Sequence, residues 1–253
     1  MKKLLEQSKK EKEKLLIGAG NYESNILIVG HEPSIDPNDK EQIVREIDDN
    51  IFHWERDIEK QLSEIADWVF DINYSPLYPY KGSQINSPKP NNGGTSQTWY
   101  NYQKLMDAII NKGSKSKKIN FFESCFITEL NQITSRSSKK LKDKDLQEKI
   151  EKMIEKRVEF IFSSDYIRSF PVIIMACSNY VIEHKIDIRI LFDVEKEGEI
   201  VRLSKYNSYS VYKNGKGKII ILTRQFSNGI SNKLIEEIGK DIAGFCKEHN
   251  ISL

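Results

Sequence analysis

Asn25-Ile-Leu-Ile-Val29 carries an unbroken apolar run that stops at Gly30-His31-Glu32-Pro33-Ser34, and few architectures accept such a segment. With no polar face it must be covered on both sides, as the central strands of parallel sheets are. From Lys40 the period changes: Ile43, Ile47, Ile51, Trp54, Ile58, Leu62, Ile65 and Val69 step by three or four, which predicts one long amphipathic helix after the strand. A buried strand feeding a helix is the opening unit of an α/β domain. The 253 residues give room for one large core, and no linker divides them.

The alternation continues along the chain. Residues 1–24 read as a Lys/Glu-rich N-terminal helical extension, and residues 73–98, rich in Pro, Gly, Asn, Ser and Tyr, as a long inserted loop. A helix is predicted over 99–110, a strand over 119–130 and a polar connector over 135–145. Leu146, Ile150, Met153, Ile154, Val158 and Ile161 then give the next helix an apolar face. Pro171 opens a strand over 172–177. Residues 186–216 read as short strands and a hairpin insertion with a turn at Asn214-Gly215, and 218–222 as the strongest late strand. Ile230, Leu234, Ile235, Ile238, Ile242 and Phe245 mark a closing helix, with Ser231 or Asn228 as its cap. The expected fold class is α/β, a central, mostly parallel sheet flanked by helices on both faces. Ligand groups are then expected on the loops after Val29, Ile127 and Leu222, beyond the carboxyl ends of the strands.

Charge narrows the function little. Lys plus Arg number 39 against 37 for Asp plus Glu, so a net +2 gives no global attraction to nucleic acid, and any basic surface must be local. Lys2 and Lys3 are followed by Leu4-Leu5 and then more charge, which is neither a signal peptide nor a membrane span, and a cytoplasmic location is expected. Cys125, Cys177 and Cys246 are far apart in apolar contexts, the pattern of reduced, buried thiols rather than a disulfide frame or zinc site. The chain has no Walker loop, dinucleotide fingerprint or Gly-x-Ser-x-Gly elbow, so no cofactor or metal is expected. His53, His184 and His249 have no partner implied by spacing and read as structural.

Three strand ends carry the chemistry. Gly30 permits a tight turn, His31 and Glu32 project ionisable groups, and Pro33 stiffens the exit towards Ser34, although a rigid corner would look the same. Glu129 interrupts the apolar stretch Phe126-Ile-Thr-Glu-Leu-Asn131. A carboxyl there must be paired, solvated at a cleft or protonated, with loop capping or a salt bridge as the plainer alternative. Thr223-Arg-Gln-Phe-Ser227 presents Arg224, Gln225 and Ser227 before a helix, an arrangement suited either to a phosphate or to ordinary capping. Trp99, Tyr100 and Tyr102 open the second helix, where a ring either packs in the core or stacks on a flat base.

Taken in order, the Gly30 loop, the helix-opening aromatics, the stretch 122–130 and the terminal strand-loop-helix over 219–240 resemble the uracil-DNA glycosylase superfamily. The resemblance implies a protein that takes an extruded base and hydrolyses its N-glycosidic bond, with DNA or a nucleotide as partner. That family's Gly-x-x-Pro motif positions or activates water. Here Glu32 falls where some branches carry the acting aspartate, while His31 departs from the common residues. The asparagine that reads uracil in the family is matched by Glu129, whose carboxylate would repel the uracil carbonyl and accept from an amino-bearing edge. The family's late histidine is missing, leaving Arg224 to neutralise a departing base or hold a phosphate. The implied catalytic set is Glu32, His31 and Arg224, with Gly30, Pro33, Ser34, Trp99, Tyr100, Glu129, Asn131, Gln225 and Ser227 around the base, and uracil itself is not the expected substrate. The insertions at 73–98 and 186–216 lie outside what the minimal enzymes have. The altered motif positions and near-zero charge support, as the alternative, a non-catalytic module that binds a nucleotide, a base-like ligand or a protein partner.

Overall fold

The computed structural model describes residues 1–10, 14–59, 74–79, 86–87, 94–111, 113–134, 144–227 and 229–253. In chain order these form α1 (Lys2–Lys9), β1 (Ala19–Gly20), β2 (Ile26–Gly30), α2 (Lys40–Ile43), α3 (Asn50–Glu59), α4 (Gln97–Ile110), β3 (Phe126–Glu129) and α5 (Lys144–Arg157). There follow α6 (Asp165–Arg168), β4 (Val172–Met175), α7 (Ser178–Glu183), α8 (Ile188–Phe192), β5 (Glu195–Arg202), β6 (Ser208–Asn214), β7 (Lys218–Thr223) and α9 (Asn232–Glu248). The seven strands form one sheet in the order β1-β3-β2-β4-β7-β6-β5. The four middle strands, β3, β2, β4 and β7, are mutually parallel, whereas β1 joins one edge antiparallel and β6 and β5 extend the other as an antiparallel hairpin. The sheet is therefore mixed, with a parallel centre.

Alternation along the central strands divides the core in two. Leu27, Val29, Ile173, Met175 and Ile220 face one side, where they meet Trp54 of α3 and the apolar stripes of α1, α5 and α7. Ile26, Ile28, Val172, Ile174, Ile219 and Ile221 face the other, against α4 and α9. All five residues of β2 are buried, as its sequence requires. On the second face α4 and α9 cross at Gly239, where a Cβ would stand 2.5 Å from the Ala108 methyl, so glycine sets the closeness of that layer. Ser231 caps α9 by accepting from the Leu234 amide; Asn228 lies outside the described residues.

Three elements differ from expectation. The helix predicted from Lys40 is broken by a π-helical turn at Val44–Asp48, and its continuation over 60–69 lies outside the described residues. The extra residue of a π turn rotates the apolar stripe: Ile47 packs with Leu16 and Ile35 while Trp54 stays in the main core. The strand predicted over 119–130 is shorter, preceded by a 3₁₀ turn at Phe121–Glu123. Residues 188–192 are helical rather than strand, because Asp187 caps the turn by accepting from the Arg189 amide. Within 73–98 only 74–79, 86–87 and 94–98 are described, and the connector 135–145 is described only at Lys144 and Asp145. Among the described residues no helix is long and apolar enough to cross a membrane. Cys125, Cys177 and Cys246 are all buried and free.

Candidate functional site

The chain leaves β2 for β3 on one side and then crosses back to β4 on the other, so the carboxyl ends of β2 and β4 form the switch point of the parallel centre. Gly30 closes β2 directly opposite Glu129 of β3. A Cβ on Gly30 would lie 2.8 Å from the Glu129 carboxyl carbon, so this position is glycine because a carboxyl group lies across it. Pairing continues past the strands, with the Leu130 amide donating to the Gly30 carbonyl and the Asn131 amide to that of His31, each at 2.9 Å. The two ionisable loops are thereby tied together.

Tyr180, delivered by α7 just after β4, completes the group. Its hydroxyl donates to Glu32 Oε2 at 2.7 Å, and its ring stacks on the His31 imidazole at 4.6 Å between centroids. The Tyr180 side chain thus joins the ends of β4 and β2. Burial pushes the Glu32 carboxyl above its ordinary range, and the Tyr180 hydrogen bond pulls it back. Burial alone pushes His31 down to about 4, so the imidazole is neutral near pH 7. Both of its ring nitrogens are buried without a partner. Such atoms cost about 1–3 kcal/mol each when left unsatisfied.

Glu129 resolves the three alternatives its sequence left. Its Oε2 is sealed and without a partner, while the rest of the side chain keeps part of its surface in a cavity. Burial, reinforced by Glu32 and opposed by Arg157, pushes its pKa up to about 8, so at pH 7 it is chiefly a neutral acid. A neutral carboxyl donates as well as accepts, and the repulsion of a carbonyl expected from the sequence belongs to its charged form only. Arg157 is wholly buried, with burial lowering its pKa to about 9. It donates to the carbonyls of Leu16 and Glu129, to Thr128 Oγ1 at 2.9 Å and to Gln132 Oε1 at 3.1 Å. It therefore fixes the end of β3 from behind rather than pairing directly with the carboxyl.

The cavity, of about 300 Å³, lies beside this strand end. Pro33, Ser34, Trp99 and Glu129 are in its wall, with Tyr74, Ser96 and Glu46. Its volume falls at the lower end of small-molecule sites. The floor at Leu16 and Gly18 is held by α3, where Asn50 Oδ1 accepts from the Ile17 amide at 3.0 Å and Trp54 Nε1 donates to the Gly18 carbonyl at 2.9 Å.

Of the residues singled out from sequence, Gly30, His31, Glu32, Glu129 and Asn131 come together, and Pro33, Ser34 and Trp99 line the adjoining cavity. Trp99 also meets Phe121 edge-on at 5.3 Å. Tyr100 does not line it; its ring lies under the Lys104 ammonium at 4.4 Å. Arg224 donates to the Tyr206 and Gly229 carbonyls at 3.2 and 3.4 Å, bracing the loop after β7 against the β5–β6 turn. Ser227 Oγ donates to Gln225 Oε1 within that same loop. Two participants are absent from the sequence reading. Tyr180 follows β4, whose loop is not among the three expected to carry ligand groups, and Arg157 sits on α5, for which the sequence indicates only an apolar face. Among the described residues no group of three or more His, Cys, Asp or Glu could hold a metal. Comparison with protein families, with curated proteins and with solved structures returns no match to this chain.

Proposed function

We propose that this protein binds an extruded nucleobase other than uracil in the cavity beside Gly30 and hydrolyses its N-glycosidic bond, in the manner of the superfamily it resembles. The observation that carries the reading is the meeting of Glu32 and Glu129 at adjacent strand ends beside a cavity walled by Trp99. Trp99 supplies a face for a flat ring. Glu129, amphoteric when protonated, meets a donor or an acceptor on the ring edge. Glu32 accepts the proton of the attacking water, and its raised pKa brings it closer to working pH.

The test incubates purified protein and Glu32→Gln with single- and double-stranded oligonucleotides carrying a panel of modified bases, and measures the free base by chromatography. Release by wild type should fall about 10²–10⁴-fold in the variant. No release from any substrate removes the hydrolytic step. A second reading, binding without chemistry, draws support from Glu32 itself, which is only 8% exposed and engaged by Tyr180. Retained base binding with no release by wild type would establish it.

A further inference from the structure

The cavity beside Gly30 has an uneven charge. Among the described residues in its wall are two carboxyl side chains, Glu46 and Glu129, and two rings, Tyr74 and Trp99, but no lysine, arginine or histidine. Glu46 is engaged by Arg45 and Gln42, at 3.3 and 3.0 Å. Glu129 Oε2 is buried with no partner. Among the described residues the cationic groups around it are engaged: Arg45 with Glu46, and Arg157 with the backbone and side-chain oxygens behind β3. Three hollows of larger volume, about 610 Å³ beside α1 and α6, about 510 Å³ between α5 and α8 and about 490 Å³ between α6 and the β6–β7 turn, have no buried unpartnered atom among the described residues of their walls.

This distribution bears on which base can leave. A neutral base departs as an anion and needs positive charge or a proton to receive it; the described side chains of this wall carry no positive charge, and among their carboxyls only the neutral form of Glu129 offers a proton. A base whose ring is already positively charged departs neutral and needs neither. Aromatic faces attract such a ring, and a carboxylate beside it supplies the counter-charge. Resting on the base-binding reading above, we infer that the cavity selects a cationic nucleobase, a purine or pyrimidine alkylated on a ring nitrogen. In the reaction the water oxygen bonds to the sugar C1′ and its proton passes to the Glu32 carboxylate. The C1′–N bond breaks, and its electron pair enters the ring and cancels the positive charge. The products are a sugar with a C1′ hydroxyl and a neutral alkylated base.

Binding then carries a proton signature. Five groups face the Glu129 carboxyl: Glu32 from the β2 loop, Arg157 from α5, Tyr102 from α4, Cys177 after β4, and Glu46 across the cavity. Burial holds Tyr102 and Cys177 protonated, and Arg157 stays charged below about 9. A cation entering the site therefore draws the proton from Glu129. Affinity rises with pH, by at most about tenfold per unit, and levels off near 8.

The experiment uses the full chain and two flat probes of nearly equal shape, 1-methylnicotinamide, whose ring nitrogen is alkylated and permanently cationic, and neutral nicotinamide. Calorimetric titration should give a preference of about tenfold or more for the cation, rising with pH towards about 8. Glu129→Gln should lose both the preference and its pH dependence; Glu129→Asp, which keeps the charge, should retain the preference at weaker affinity. In parallel, methylated DNA should yield free methylated purine where uracil-containing DNA yields nothing. Equal binding of the two probes, binding of neither, or a preference that survives in Glu129→Gln overturns the inference. Release of a neutral base without any preference for cations removes this ligand class and leaves the hydrolytic reading. Cation preference without release from any DNA does the reverse.

Discussion

Replacing Gly30 by alanine drives a methyl group against Glu129 Oε2 and places it 2.8 Å from the carboxyl carbon and 3.0 Å from Oε1. Ordinary contact between heavy atoms begins near 3.5–4.0 Å, so the carboxyl must withdraw by an ångström or more. The displaced atoms are the end of a side chain rather than backbone, which puts the stability cost at the low end of the overpacking range, about 1 kcal/mol. For a chain of this size that lowers the melting temperature by about 2–4 °C. The cost to function is far larger. A positioning group moved by about an ångström loses on the order of a hundredfold in rate. Gly30→Ala should therefore melt close to wild type while base release, and the binding of a flat cationic probe, collapse. Thermal unfolding followed by circular dichroism and single-turnover release measure the two halves. A variant that releases base at the wild-type rate refutes the close approach of Glu129 to Gly30 as the device that sets the site.

Other expectations follow from the same geometry. His31→Phe keeps the stack on Tyr180 and removes two buried unpartnered nitrogens, so it should be neutral or stabilising. Because the His31 pKa in the fold, about 4, lies below 6.5, the wild type should lose stability as pH falls from about 6.5 to 4, and the variant should lack that loss in thermal melts. Glu129 gives the opposite slope: its pKa of about 8 lies above 4.5, so the fold binds a proton the unfolded chain releases. Stability falls as pH rises between those values, and Glu129→Gln should flatten that limb in denaturant titrations. Arg157→Met strips donors from four buried oxygens and should cost about 3–5 kcal/mol by urea unfolding. Tyr180→Phe should cost about 1 kcal/mol in stability. It should also move the acid limb of the activity profile to higher pH, since the lost hydrogen bond lowers the Glu32 pKa.

The central strand, both flanking layers and the Gly30 turn were legible because they rest on local chemistry: an unbroken apolar run, a 3.6-residue stripe, a cap. β2, α4, α5, β4, β7 and α9 all fall where periodicity put them. The π turn at Val44–Asp48 was not legible, since the stripe Ile43, Ile47, Ile51 is the same for a continuous helix, and only packing of Ile47 on Leu16 and Ile35 distinguishes them. Glu129 could be read as anomalous from its apolar neighbours, but its protonation depends on its burial in the fold first, then on Glu32, close to 100 residues upstream, against Arg157 beyond the next connector. Tyr180 carried no signal, because a tyrosine in a short helix announces neither its hydroxyl partner nor its ring partner. Arg224 shows the converse: a cation placed well by sequence is directed to carbonyls of its own loop and of the β5–β6 turn.

The claim at the centre of this account is that a base sits against Trp99 with its edge on Glu129. It is tested most directly by a crystal structure of Glu32→Gln bound to an N-alkylated purine nucleoside. Density for a flat ring between Trp99 and the Gly30 loop, with the Glu129 carboxyl within hydrogen-bond distance of the ring edge, is the predicted result. Density for the nucleoside at any other hollow of the protein, with the cavity beside Gly30 filled only by solvent, would contradict it.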